Sequence, residues 1–217
     1  MVVTIFSLAL LILLSYLMGS IPFSLVVGKL FFKKDIRNYG SGNLGGTNTG
    51  RVLGKGAGLA VMILDQLKAV LAILITTLVM KRIDPNFLNV GIYMSSIAVV
   101  LGHCYPIFAK FKGGKAVACA FGILFITNIY IYLITLAIYA ILLKLTKYVS
   151  LGSIIVFFIS GLLTFIEFFR TSPLLQVKLD IFYPILILFI ATFIVIKHRS
   201  NITRLQQGTE NKIKWMG

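Results

Sequence analysis

Residues Val117 to Leu143 read VACAFGILFITNIYIYLITLAIYAILL, and whether this run holds one helix or two decides the architecture of the chain. A helix needs about 20 apolar residues to cross the hydrocarbon of a bilayer. The run is long enough for one tilted span and short for two, and Thr127-Asn128 is where it would divide. Working outward, the other apolar runs are Val3 to Leu30, Gly58 to Met80, Phe87 to Phe108, Leu151 to Phe169 and Ile181 to Ile196. Dividing the central run into Ala116 to Thr127 and Tyr130 to Leu145 brings the total to seven spans. The first exceeds the bilayer thickness, which implies tilt or projection beyond it.

The cations decide between the two readings. With the N-terminus outside and seven spans, the inner segments carry Lys29, Lys33, Lys34, Arg37, Arg51, Lys55, Lys110, Lys112, Lys115, Lys144, Lys147, Lys197, Arg199, Arg204, Lys212 and Lys214. The outer ones carry only Lys81, Arg82, Arg170 and Lys178. Sixteen against four is the asymmetry that the positive-inside rule requires. Merging the central pair would throw Lys144, Lys147 and the basic tail onto opposite faces. The sequence therefore predicts an all-α integral membrane protein, a single domain over residues 1–217, with seven transmembrane helices, the N-terminus outside and the C-terminus cytoplasmic. Segments 39–58, 110–116, 145–151 and 197–214 then share the inner face.

Composition agrees. A chain of 217 residues that is 59% hydrophobic, with mean hydropathy +0.98, cannot hide that much apolar surface in a water-soluble core. A formal charge of +15 would suggest nucleic acid in a soluble protein. Here the charges lie between apolar spans, so the partner is membrane lipid and no nucleic acid is expected. Cys104 and Cys119 fit neither a disulfide framework nor a metal cluster. The first eighteen residues lack a basic leader and a cleavage site, so they read as a retained helix.

The inner segments carry the polar chemistry. Tyr39 to Gly58, YGSGNLGGTNTGRVLGKGAG, holds eight of the nineteen glycines. Such a loop can turn backbone N–H groups toward an anion. Ser41, Asn43, Thr47, Asn48 and Thr49 add hydrogen bonds, and Arg51 offers a planar fork for phosphate. Phe111-Lys112-Gly113-Gly114-Lys115 places two lysines around a glycine pair at a helix N-terminus, which also favours phosphate over simple lipid anchoring. It is not a nucleotide P-loop, because Ala109 and Ala116 stand where that motif needs Gly and Ser/Thr. Ser150 caps the sixth helix or offers a hydroxyl to the inner face. His198, Asn201 and Arg204 are spaced to lie along one helix ridge, and Glu210 is expected to pair with a basic loop and hold the tail. Within the spans, Asp65 and Lys68 are expected to pair. His103 is either a functional group or a neutral imidazole bonded to a neighbouring helix.

These residues resemble the bacterial membrane glycerol-3-phosphate acyltransferases that use acyl phosphate as donor, over essentially the whole chain. The resemblance rests on Gly19-Ser20-Ile21-Pro22-Phe23, on Gly40-Ser41-Gly42-Asn43 through Thr47-Asn48 and Arg51, and on Gly102-His103 with Phe111-Lys112-Gly113-Gly114-Lys115. Ser150 and the series His198, Asn201, Arg204, Gly208, Glu210 complete it. It implies a seven-helix enzyme of the bacterial inner membrane with a cytoplasmic active site. By the same resemblance, Ser41, Asn43, Thr47, Asn48 and Arg51 contact both substrate phosphates and the glycerol backbone. Lys112, Gly113, Gly114 and Lys115 cradle a phosphate; Ser150, His198 and Asn201 orient the acceptor. The chain departs from the family at Gly46, where Ala is usual, at Ala116, where Gly is usual, and at Cys119, where Thr is usual.

The implied reaction is acyl transfer from a fatty acyl phosphate to the 1-hydroxyl of glycerol 3-phosphate, giving lysophosphatidic acid and inorganic phosphate. Because the leaving group is good, positioning and charge neutralisation suffice. Arg51, Lys112 and Lys115 supply charge, and Thr47, Ser150, His198 and Asn201 supply alignment, with Arg204 in the binding set. No cofactor, metal or covalent acyl-enzyme is called for, and a monomer is the expected state. The His-x4-Asp pair of the acyl-CoA acyltransferases is absent, since Phe108 and Thr203 hold the acid positions. A membrane transporter or binding protein for a phosphorylated solute is the alternative, for which inverted repeats or helices broken at the midplane would be the sign.

Overall fold

In the computed structural model, which describes residues 1–213, the first apolar run is two helices rather than one. Lys214, the end of the basic tail, lies outside the described residues. Helix α1 (Val2–Gly19) stops and α2 (Phe23–Phe32) starts across Ser20-Ile21-Pro22. Pro22 has no N–H to continue the ladder, and the Ser20 hydroxyl folds back to donate to the Tyr16 carbonyl at 2.8 Å. The predicted unbroken Val3 to Leu30 helix is corrected accordingly.

The rest of the first half is α3 (Gly46–Leu53), α4 (Lys55–Ile83), α5 (Leu88–Cys104) and α6 (Val117–Thr127). Two compact units result, Met1–Ile126 and Thr127–Gly217. Within the first, α5 packs on α1 and α4, and α3 packs on α4. The α1–α5 crossing is close because glycines face it: a Cβ on Gly19 would strike the Val99 backbone, and one on Gly102 the Tyr16 carbonyl. Small residues at such crossings let backbones approach in a medium that offers no hydrophobic drive for helix association. A buried Thr76–Ser95 hydroxyl pair at 2.8 Å adds a polar link between α4 and α5.

Asn128 divides the central run. Its backbone is extended (φ −156°, ψ 103°) and its side-chain oxygen accepts from the Ile131 N–H, capping α7 (Ile129–Thr146). The second unit continues with α8 (Val149–Leu163), a two-residue hairpin pairing β1 (Thr171–Ser172) with β2 (Val177–Lys178), α9 (Phe182–Lys197) and α10 (Arg199–Gln206). Helix α8 packs on α7 and α9, and Thr135 and Ser160 join α7 to α8 at 2.6 Å. The predicted Leu151 to Phe169 helix ends early, at Leu163, where the Thr164 hydroxyl turns back to the Gly161 carbonyl at 2.6 Å.

Among the described residues, four stretches are long and apolar enough to cross a bilayer: Val2–Phe32, Lys55–Ile83, Pro85–Ala109 and Ile129–Thr146. A fifth is α9 with α10, if that pair, bent by 61° at His198, counts as one. Helices α6 and α8 are apolar but shorter, with 11 and 15 residues, or about 16 and 22 Å at 1.5 Å per residue. Leu10, Leu13 and Leu14 on α1 and Leu67 and Leu71 on α4 are exposed, an apolar surface suited to lipid.

Candidate active site

The glycine-rich stretch is not one loop. Its first part, residues 39–45, is irregular, and from Gly46 it is helix α3. Gly40 (φ +60°) and Gly42 (φ +68°) adopt the backbone that only glycine takes without strain. Gly46, Gly50 and Gly58 do something else: a Cβ on Gly58 would strike Gly50 and the Gly46 carbonyl, so these three seat α3 against α4. The anion-loop reading of all these glycines is thus corrected; three of the eight serve close helix packing.

Asn48 is buried and works for the loop. Its Oδ1 accepts from the Ser41 N–H at 2.9 Å and its Nδ2 donates to the Tyr39 carbonyl at 3.1 Å. Thr49 is buried as well, with its hydroxyl 2.7 Å from that of Ser24 on α2. Thr47 and Arg51 are one turn apart on the other face of α3, Thr47 half-buried and Arg51 exposed. Asn43 is half-buried, and its Oδ1 is enclosed with no protein partner.

Leu44 of this loop and Ala109 lie in one buried cluster with Leu25 and Ile36. That cluster brings the second basic segment alongside. Between them is a cavity of about 430 Å³ lined by Asp35, Arg37, Asn38, Gly42, Ala109, Lys110 and Lys112. Lys112 is the only predicted site residue in that lining. The Arg37 guanidinium hydrogen-bonds Asp35 and holds its carboxyl well below the usual carboxylate range, so it stays charged. Sequence reading passed over Asp35 and Arg37; the signal was the Asp-x-Arg spacing, which lets the carboxylate cap the Arg37 N–H and grip its side chain together.

Past Lys112, Gly113 and Gly114 fold onto His103, whose carbonyl accepts the Gly114 N–H at 3.0 Å. Lys115 is half-buried and Ala116 fully buried. Ala116 has φ +67°, so the turn keeps a glycine-type backbone although an alanine stands there. Ala116→Gly is expected to preserve stability and turnover. Ala116→Val, β-branched at positive φ, should cost about 1–3 kcal/mol. Equal melting temperatures for the two variants would contradict this reading. At Cys119, another of the three departures, the thiol donates to the Asp65 carbonyl at 3.4 Å.

In the second unit the predicted residues gather on Glu210. Its Oε1 accepts from the Ser150 hydroxyl at 2.9 Å and Asn201 Nδ2 at 2.6 Å, and its Oε2 accepts from Arg204 Nε at 2.7 Å. The tail thereby folds back, and the Ile213 N–H reaches the Lys147 carbonyl at 2.9 Å. His198 is the fourth predicted residue of this unit. It sits buried at the bend between α9 and α10, with Nδ1 2.8 Å from the Ile194 carbonyl. A carbonyl only accepts, so Nδ1 carries the proton and Nε2 is the basic nitrogen of the neutral ring.

A family model described as glycerol-3-phosphate acyltransferase matches residues 9–208. The chain is 43% identical to a protein of Enterococcus faecalis named glycerol-3-phosphate acyltransferase, across 94% of this chain and 91% of that one. It is also 43% identical to one of the same name from Geobacillus kaustophilus, across 96% and 98%. Among solved structures, it is similar to PlsY (YgiH), described as an integral membrane glycerol 3-phosphate acyltransferase, in its glycerol 3-phosphate form. The TM-score is 0.82 at 33% identity, over 95% of this chain and 96% of that chain. The lysophosphatidic acid form gives 0.80 at 32%, over 95% of each.

Proposed function

Because the chain belongs to the glycerol-3-phosphate acyltransferase family, we propose that it transfers a fatty acyl group from acyl phosphate to the 1-hydroxyl of glycerol 3-phosphate. It is a multi-pass membrane enzyme of that class, and lysophosphatidic acid and inorganic phosphate are its products. The reading is carried by the likeness, along nearly the whole chain, to a membrane acyltransferase solved in a glycerol 3-phosphate form. In the proposed topology both short helices, α6 and α8, count as spans, giving seven with the N-terminus outside. Thinning of the bilayer around them would accommodate their length. The active site then faces the cytoplasm of a bacterial inner membrane.

In this mechanism the acceptor oxygen bonds to the acyl carbonyl carbon, the bond from that carbon to the phosphate oxygen breaks, and the pair leaves as phosphate. Arg51, Lys112 and Lys115 offset the repulsion between two anionic substrates. Ser41, Asn43 and Thr47 contact the substrates directly, whereas Asn48 acts by holding the 39–41 backbone in place. Gly113 and Gly114 shape the phosphate cradle; Ser150, His198, Asn201 and Arg204 align the acceptor. The hydroxyl proton passes to a substrate phosphate oxygen. His198→Gln should therefore lower turnover without abolishing it; complete loss with acceptor binding intact would make His198 the base instead.

The helix break at Ser20–Pro22 invites the transporter alternative, since broken helices hold ions in such proteins. Here, however, the carbonyl of Ile21 accepts from Lys68 Nζ at 3.0 Å, so the break is filled from within. The deciding experiment offers purified protein glycerol 3-phosphate with palmitoyl phosphate or a palmitoyl thioester of acyl carrier protein. Lysophosphatidic acid is expected from the first donor only. Arg51→Ala, by removing a phosphate-matched cation, should reduce kcat/KM at least about 100-fold.

A further inference from the structure

Three ionisable residues of the first unit meet inside the helices, none of them itself a residue given a substrate contact. Asp65 and Lys68 on α4 and His103 on α5 are only 2, 4 and 6% exposed. Lys68 Nζ lies 2.7 Å from Asp65 Oδ1, and His103 Nδ1 lies 3.4 Å from the same oxygen. Lys68 extends the group to the carbonyl of Ile21 in the helix break, with its ammonium 5.7 Å from the centre of the Phe23 ring. Charges at this depth are costly unless paired. Pairing within the group meets that need but does not explain why three elements converge on it.

The other edge of the imidazole supplies the reason. Gly114 abuts the ring at its Nε2 edge, so that a Cβ there would overlap His103 Nε2, and one on Gly113 would overlap the His103 carbonyl. The Gly114 N–H donates to that same carbonyl. The glycine turn is thus moulded on His103, and His103 is oriented by Asp65. Covered in this way, Nε2 has no room for a substrate, which excludes His103 as a base acting on the reactants.

We propose that Asp65, Lys68 and His103 are positioning residues that set the glycine turn, and through it Lys112 and Lys115, in the shape that receives a substrate phosphate. This rests on the reading of residues 112–115 as a phosphate cradle. Asp65 fixes the ring by one nitrogen; Lys68 balances the carboxylate and ties it to the α1–α2 break. The ring itself is the surface against which the turn is formed.

The test is steady-state kinetics of purified protein, varying palmitoyl phosphate and glycerol 3-phosphate and using inorganic phosphate as inhibitor. His103→Asn keeps a donor toward Asp65 but removes the ring beneath Gly114; Asp65→Asn keeps the shape and removes the charge. Each should raise the KM of one phosphorylated substrate, and the inhibition constant of phosphate with it, about ten-fold or more. The kcat should stay within about three-fold. Unchanged KM and inhibition constants, with only kcat or melting temperature lowered, would overturn the proposal. So would failure of both variants to fold, which would make the cluster a structural core element. Lys112→Met separates the premise: if it too leaves every constant unchanged, the cradle reading fails. If it raises them while the other two variants do not, the cradle stands and the positioning role is wrong.

Discussion

Gly114→Ala is expected to reduce kcat/KM for the phosphorylated substrate by at least about 100-fold, the scale of loss for a misplaced binding group. The backbone at 114 rests on the His103 imidazole, and the added methyl would have to occupy the ring's own volume. Neither side can yield easily: His103 is buried and gripped by Asp65, while the Gly114 N–H is committed to the His103 carbonyl. Overpacking of this kind costs about 1–3 kcal/mol of stability, too little to unfold the chain but enough to push the turn outward. Lys112 and Lys115 would move with it. Gly56→Ala is the matched control, because nothing lies within 4 Å of a Cβ there. Equal kcat/KM for Gly114→Ala and Gly56→Ala would show that the shape of the turn does not matter.

Glu210→Ala is expected to be nearly as damaging, through the tail. One carboxylate holds Ser150, Asn201 and Arg204, and its side chain is only 4% exposed. Removing it takes away three hydrogen bonds. Hydrogen bonds to a charged group are worth about 1.5–3 kcal/mol each when buried, but Arg204 is 36% exposed and its share is screened by solvent. The two buried bonds alone come to about 3–6 kcal/mol, which corresponds to a fall of roughly 6–24 °C in Tm for a chain of this size. Loss of acceptor alignment should follow, since Ser150 and Asn201 are no longer held. Burial pushes the Glu210 carboxyl up, but the hydrogen bonds from Asn201, Arg204 and Ser150 outweigh it and hold the group below its ordinary value of 4.5. A depressed carboxyl pKa means stability fully present above about 4.5 and lost as pH falls through the lower folded value. The Tm gap between the native protein and Glu210→Gln should be constant from about pH 7 to pH 5 and close below about pH 4.5. A gap that closed on going to alkaline pH would contradict this arrangement.

That Glu210 holds the tail was legible because acids are scarce, with 6 Asp and Glu against 21 Lys and Arg; its partners are Arg204 and Asn201 on α10 and Ser150 on α8 rather than a basic loop. The break at Asn128 was legible too, as the one polar pair dividing an apolar run. The glycines of residues 39–58 were not, because a turn that needs positive φ and a helix face that needs no side chain ask for the same residue. Gly40 and Gly42 meet the first need, Gly46, Gly50 and Gly58 the second. Pro22 could be seen but not its consequence, since hydropathy runs straight through the break. Asp65, Lys68 and His103 each stood out as charges inside spans. That two helices bring them to one point, beneath Gly114, depends on non-local packing that no local pattern encodes.

In the proposed reaction the acyl group passes directly between two anions held together, without an acylated protein between them. Rapid-quench measurement of phosphate release from chain-labelled palmitoyl phosphate tests this most directly. In the presence of glycerol 3-phosphate, phosphate and lysophosphatidic acid should appear mole for mole, and without it no burst of phosphate should be seen. A burst of phosphate in the absence of acceptor, with the labelled acyl chain retained on the protein, would contradict it.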